Sequence, residues 1–152
     1  MKKALSILSA AVMMLMTSAI PVSAADDNRN ITVSTEIAPA YIVTIPTNTR
    51  VYFNVVDSDF GAVELTKAQL EPKKCVKVTL ITDNKLENKS DAEKYLPYGI
   101  NQSNDTAFSS AKFAAVGEQK KLTIHIEQED WNKAYAGEYE DIVTFQIEYT
   151  DK

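Results

Sequence analysis

From residue 31 to the C-terminus, apolar and polar positions alternate with period two, the spacing that puts every second side chain on one face of a β-strand. Ile31, Val33, Thr35 and Ile37 mark the first such run, and residues 41–45 the second. Pro39, which has no N–H to give to a ladder, separates them. Further strands are predicted over 50–56 and 62–65, with Asp57, Ser58 and Asp59 as punctuation between them. Glu71-Pro72-Lys73-Lys74 is a turn leading into 75–82, where Val76, Val78 and Leu80 share a face. The polar stretch 83–93 is predicted as a long loop with at most one helical turn near 90–95. Short strands are expected over 96–101 and 112–116.

The two clearest strands come last. Residues 121–127 put Leu122, Ile124 and Ile126 on one face and Thr123, His125 and Glu127 on the other; residues 141–149 turn Val143, Phe145, Ile147 and Tyr149 inward. Seven or eight short strands, with no amphipathic helix beyond the N-terminal leader, predict an all-β chain folded as one antiparallel β-sandwich over 31–152, with a barrel as the alternative.

The first residues follow a different rule. Lys2 and Lys3 precede an apolar run over 4–20, and Val22 and Ala24 supply the small residues of a cleavage site. Residues 1–24 are therefore expected to be a signal helix removed on export, with a cut after Ala25 the near alternative, and 25–30 a disordered leader. The apolar run is shorter than the roughly 20 residues that span a bilayer, so no stable membrane insertion is expected after cleavage. Cleavage shifts the net charge from −5 to −7, with 14 basic against 21 acidic side chains. A surface this acidic, with no basic run, excludes nucleic acid as a partner. The single cysteine, Cys75, permits no internal disulfide and no lipid attachment at the cleavage point. The twin-lysine leader fits a bacterial source, which makes the Asn-x-Ser/Thr triplets at Asn30, Asn88, Asn101 and Asn104 chance occurrences.

The segment Ala136-Gly137-Glu138-Tyr139-Glu140-Asp141-Ile142-Val143-Thr144-Phe145-Gln146-Ile147 resembles the closing strand of small exported bacterial β-sandwiches, and Tyr41-Ile42-Val43-Thr44-Ile45-Pro46 is similar to their opening strand. The resemblance is to surface modules of the pilin-like, spore-coat-U-like and immunoglobulin-like kind and covers under a fifth of the mature chain. It implies a Greek-key, immunoglobulin-like sandwich with a role at the cell surface or in an extracellular assembly. Gly137 permits a sharp corner there, and Tyr139 can cap a backbone group with its hydroxyl, so both are expected to be structural. No sorting signal for covalent wall attachment is present: Leu96-Pro97-Tyr98-Gly99 lacks the threonine and is internal.

Chemistry-bearing residues are sparse. His125 is the only histidine, and a thiol-enzyme pair would need Cys75 beside it; the expected reading is a solvent-facing histidine and no catalytic residue. Cys75 is either a small hydrophobe at a sheet edge or a link between chains. Asp57 with Asp59, and Asp83 with Asn84 and Glu87, offer oxygen ligands, but neither matches a calcium loop, so no metal and no cofactor are expected. Trp131, Tyr135, Tyr95 and Tyr98 are the candidate ligand-binding residues, as an aromatic platform for a sugar or peptide; Trp131 as a plug at one end of the sandwich is the equal alternative. The pattern Ile31, Val33, Thr35, Ile37 also suits a strand added to a neighbouring copy. The expected function is a secreted, non-catalytic surface or extracellular binding and assembly protein, adhesin-like or pilin-like, free or wall-associated, whose partner is an extracellular protein, a glycan or a second copy. A diffusible carbohydrate-binding module or inhibitor is the alternative.

Overall fold

A computed structural model describes residues 31–103 and 105–152. The expected signal peptide, the leader over 25–30 and the triplets at Asn30 and Asn104 lie outside the described residues. The chain divides into two units, Met1–Thr35 and Glu36–Lys152. Of the first, residues 31–35 are described and are exposed coil.

The second unit is an antiparallel β-sandwich. Its strands are β1 (Ala40–Thr44), β2 (Asp57–Gln69), β3 (Lys74–Ile81), β4 (Lys85–Asn88), β5 (Asp91–Pro97), β6 (Gly99–Gln102), β7 (Ser110–Phe113), β8 (Gln119–His125), β9 (Tyr139–Glu140) and β10 (Thr144–Asp151), with one helix, α1 (Gln128–Lys133), after β8. One main sheet runs β1-β2-β8-β6 and the other β10-β3-β7, while β5-β4-β9 form a small third sheet. Only β1 and β2 are both paired and consecutive in the main sheets, so the chain crosses repeatedly from one layer to the other, the Greek-key pattern.

Period two explains why the layers stack. Val63 and Leu65 of β2 and Leu122 and Ile124 of β8 face Val76 and Val78 of β3 and Phe113 of β7, and all are buried. Each such aliphatic side chain removed from water contributes about 1.5–3 kcal/mol. Phe108, between β6 and β7, is buried in the same core. Tyr149 of β10 stacks on Tyr41 of β1 with ring centroids 5.9 Å apart, and its hydroxyl accepts the Glu71 N–H at 2.9 Å.

Several expectations change. Residues 31–37 form no strand and are exposed coil. Residues 50–56 are not a strand either; they are a loop that turns at Phe53 and Asn54, the latter at φ 64°. The supposed punctuation at Asp57, Ser58 and Asp59 opens a 13-residue strand instead, with a bulge where Gly61 adopts φ 101° and donates its N–H to the Asp59 carboxylate. Residues 83–93 are not a long loop but most of the β4–β5 hairpin, a small sheet whose faces are mostly exposed. Helix α1, which the sequence pattern did not predict, has acids in its first turn, Lys133 in its last and only Trp131 buried. Cys75 is 1 % exposed and its thiol donates to the Asp151 carbonyl, so it fills core space. Asn88 is also buried, which closes that triplet to modification.

Candidate functional site

Two features of the sandwich are incomplete. The first lies along β10. Register pairs Phe145 with Leu80, Ile147 with Val78 and Tyr149 with Val76, so all three β10 residues point into the sandwich. Val78 is fully buried, yet Ile147 beside it remains 38 % exposed. Among the described residues β10 pairs only with β3, leaving its other edge open. An apolar residue turned inward but uncovered, next to unpaired peptide groups, is what a sheet lacking one strand presents.

The second is an open cleft of about 1130 Å³ at one end of the sandwich. One wall is the coil after β1, from Ile45 to Phe53, and the other is the segment from Ala134 to Ile142. The floor includes Phe60, Phe145, Tyr98 and Ile124. Phe60 and Phe145 meet at 6.2 Å, and Phe53 stands edge-on to Trp131 at 5.6 Å. The cleft also carries exposed apolar and aromatic side chains: Phe53 is 78 % accessible, Ile142 82 % and Tyr135 62 %.

A polar clamp holds the second wall. The Asp141 carboxylate accepts hydrogen bonds from the Tyr98 hydroxyl at 2.5 Å, the Thr82 hydroxyl at 3.0 Å and the Ile142 N–H at 2.6 Å. Burial, reinforced by the bond to Asp141, pushes the Tyr98 phenol well above its ordinary range, so Tyr98 acts as a fixed donor and never as a base. The corner before the clamp depends on Gly137 at φ 151°, where any β-carbon would run into the Asn88 amide. Tyr139 donates its hydroxyl to the Tyr135 carbonyl at 2.9 Å, four residues upstream. Lys89 holds Glu140 at 2.6 Å across the third sheet. Arg50, also on the cleft, forms no ion pair among the described residues; with Lys89 against Glu138, Glu140 and Asp141, the cleft charges nearly balance.

The predicted aromatic platform is split by the structure. Trp131, Tyr98 and Tyr135 all line the cleft, but Trp131 and Tyr98 are buried and spend their polar atoms internally, Trp131 Nε1 donating to the Val55 carbonyl at 3.0 Å. Trp131 therefore takes the plugging role. Tyr135 offers an exposed ring, with the Lys94 ammonium 5.3 Å from its centroid. Tyr95 lies off the cleft beneath Lys85. Phe53 lies in 50–56, which the alternation reads as a strand but which is a loop, and Ile142 lies in coil before β10, where the alternation reads it as the outward face of a strand. Asp57 is committed to His125 and the Asp83 carboxylate to the Lys85 N–H, and no acidic cluster among the described residues is arranged to hold a metal.

No protein-family model matches the chain. No curated protein matches it either. Among solved structures, the chain is similar to the CsuC-CsuE chaperone-tip adhesion subunit pre-assembly complex from archaic chaperone-usher Csu pili of Acinetobacter baumannii, at 19 % identity and a TM-score of 0.46. The match covers 74 % of this chain and 40 % of that one.

Proposed function

We propose that the protein is a secreted, non-catalytic binding and assembly module of the bacterial surface that acts by accepting an added strand at the β10 edge. The observation behind this reading is Ile147, inward by register and uncovered beside an unpaired edge. An incoming extended segment would satisfy the β10 peptide groups and seat alternate apolar side chains over Ile147. This chain supplies such a segment: Ile31, Val33 and Ile37 alternate in exposed coil, at 86 %, 92 % and 64 % accessibility, and form no strand of their own. A second copy of the chain is therefore the proposed donor.

The test is the mass distribution of the chain beginning at Ala25 in sedimentation, alongside Ile147→Lys and a variant lacking residues 31–37. Concentration-dependent oligomers that both changes abolish support strand addition; monomers throughout, or oligomers indifferent to both changes, reject it. A second reading, a diffusible binder using the end cleft, is favoured by the exposed Phe53 ring and would show oligomers of neither kind but a ligand lost on Phe53→Ala.

A further inference from the structure

Segment 54–57, which carries the first cleft wall into β2, is sewn to segment 125–131 by four consecutive links. Asn54 Oδ1 accepts from Gln128 Nε2 at 2.5 Å, and the Val55 carbonyl accepts from Trp131 Nε1 at 3.0 Å. The Val56 carbonyl accepts the Ile126 N–H at 2.8 Å, and the Asp57 carboxylate lies 2.7 Å from His125 Nδ1. The other imidazole nitrogen, Nε2, lies 3.3 Å from Glu127 Oε1. Glu127 is the N-cap residue just before α1, and its side chain makes no capping bond there.

Both ring nitrogens thus face carboxylates. Only the imidazolium has two N–H groups to donate; the neutral ring has one donor and one lone pair, and the lone pair would point at an anion. From this geometry we infer that His125 is a proton-operated latch on the seam between segment 54–57, which follows the first cleft wall, and helix α1. Protonated, it holds Asp57 and Glu127 at once and fixes the stance of Trp131 against Phe53. On losing its proton it keeps the shorter bond to Asp57 and releases Glu127, so the start of α1 loosens and the cleft wall with it.

The surroundings leave the two carboxylates in control. On β6 the residue opposite His125 is Gly99, which brings no charge. On β2 the next acid, Asp59, lies opposite Thr123 and is engaged by the Gly61 N–H. Hydrogen bonding to Asp57 raises the His125 pKa above its ordinary value; burial opposes this to a lesser degree, and the bond to Glu127 adds to the rise. The latch is independent of what the cleft or the β10 edge binds, so it stands or falls apart from the proposed strand addition.

The chain has one tryptophan and one histidine, so two probes need no assignment. His125 ring protons are followed by NMR and Trp131 emission by fluorescence, from about pH 5 to about pH 9, a window that brackets the ordinary histidine value of ~6.5. The expected result is a His125 midpoint above that value, a Trp131 emission shift with the same midpoint, a lower midpoint in Glu127→Gln, and loss of the emission shift in His125→Gln. A His125 midpoint at or below the ordinary value overturns the proposal. So does Trp131 emission that stays flat while His125 titrates, or a shift that survives in His125→Gln. Should His125→Gln not fold, Glu127→Gln decides: an unchanged midpoint rejects the latch.

Discussion

Ile147 of β10 stands directly across from Val78 of β3 and shares its inward face, yet Val78 is sealed and Ile147 is 38 % exposed. The two belong to one row of the core, and the row ends without a cover. Because β10 is an edge strand, the missing cover and the unpaired backbone coincide, and that coincidence distinguishes this edge from an exposed leucine or isoleucine scattered on a surface.

Gly137→Ala is expected to destabilise the protein by about 1–3 kcal/mol, because a β-carbon at φ 151° is strained and meets the Asn88 amide. Urea unfolding of the variant measures the loss. Gly117→Ala is the informative partner: φ there is 88°, but nothing lies within 4 Å of the added atom, so it suffers the strain without the clash and loses less.

Tyr98→Phe removes one donor from the Asp141 carboxylate while leaving Thr82 and the Ile142 N–H in place. A hydrogen bond to a charged group contributes about 1.5–3 kcal/mol, and the variant should unfold earlier by that amount. Limited proteolysis should also find the wall over 134–142 more open than in the parent chain.

The His125 environment fixes a direction for stability against pH. A histidine whose folded pKa is raised contributes stability that is fully present below its unfolded value of about 6.5 and is lost as pH rises through the higher folded value. The unfolding midpoint should therefore decline across that interval in the parent chain more steeply than in His125→Gln. A slope that His125→Gln leaves unchanged would assign it to other groups.

Cys75 is 1 % exposed with its thiol on the Asp151 carbonyl. A soluble aromatic disulfide reagent should fail to modify it in the folded chain and label it fully in denaturant. Non-reduced gels should show no dimer linked through it.

How much of this was legible in the sequence depended on which faces are buried. In β3, β8 and β10 one face meets the opposite sheet, so Val76 and Val78, Leu122 and Ile124, and Phe145 and Tyr149 announce both the strand and its orientation. The β4–β5 hairpin was hidden because little of it is buried besides Leu96 and Asn88, and a strand exposed on most of its length has no alternation to show. Helix α1 is under two turns long with one buried residue, too short for a 3.6 period to emerge. Residues 31–37 carry clear alternation and still form no strand, since a pattern describes what a segment can pair with and not whether a partner is present. At the cleft, residue type pointed to Trp131, Tyr98 and Tyr135, but which rings are plugs and which are exposed depends on tertiary packing.

The most direct test of strand addition is hydrogen exchange at the β10 amides, measured on the chain beginning at Ala25 with and without a synthetic peptide of residues 31–37. Strand addition predicts slower exchange along β10, from Thr144 to Asp151, when the peptide is present, with Ile147→Lys erasing the effect and β7, the opposite edge of the same sheet, unaffected. Exchange along β10 that the peptide leaves unchanged, or protection that appears equally at β7, would contradict it.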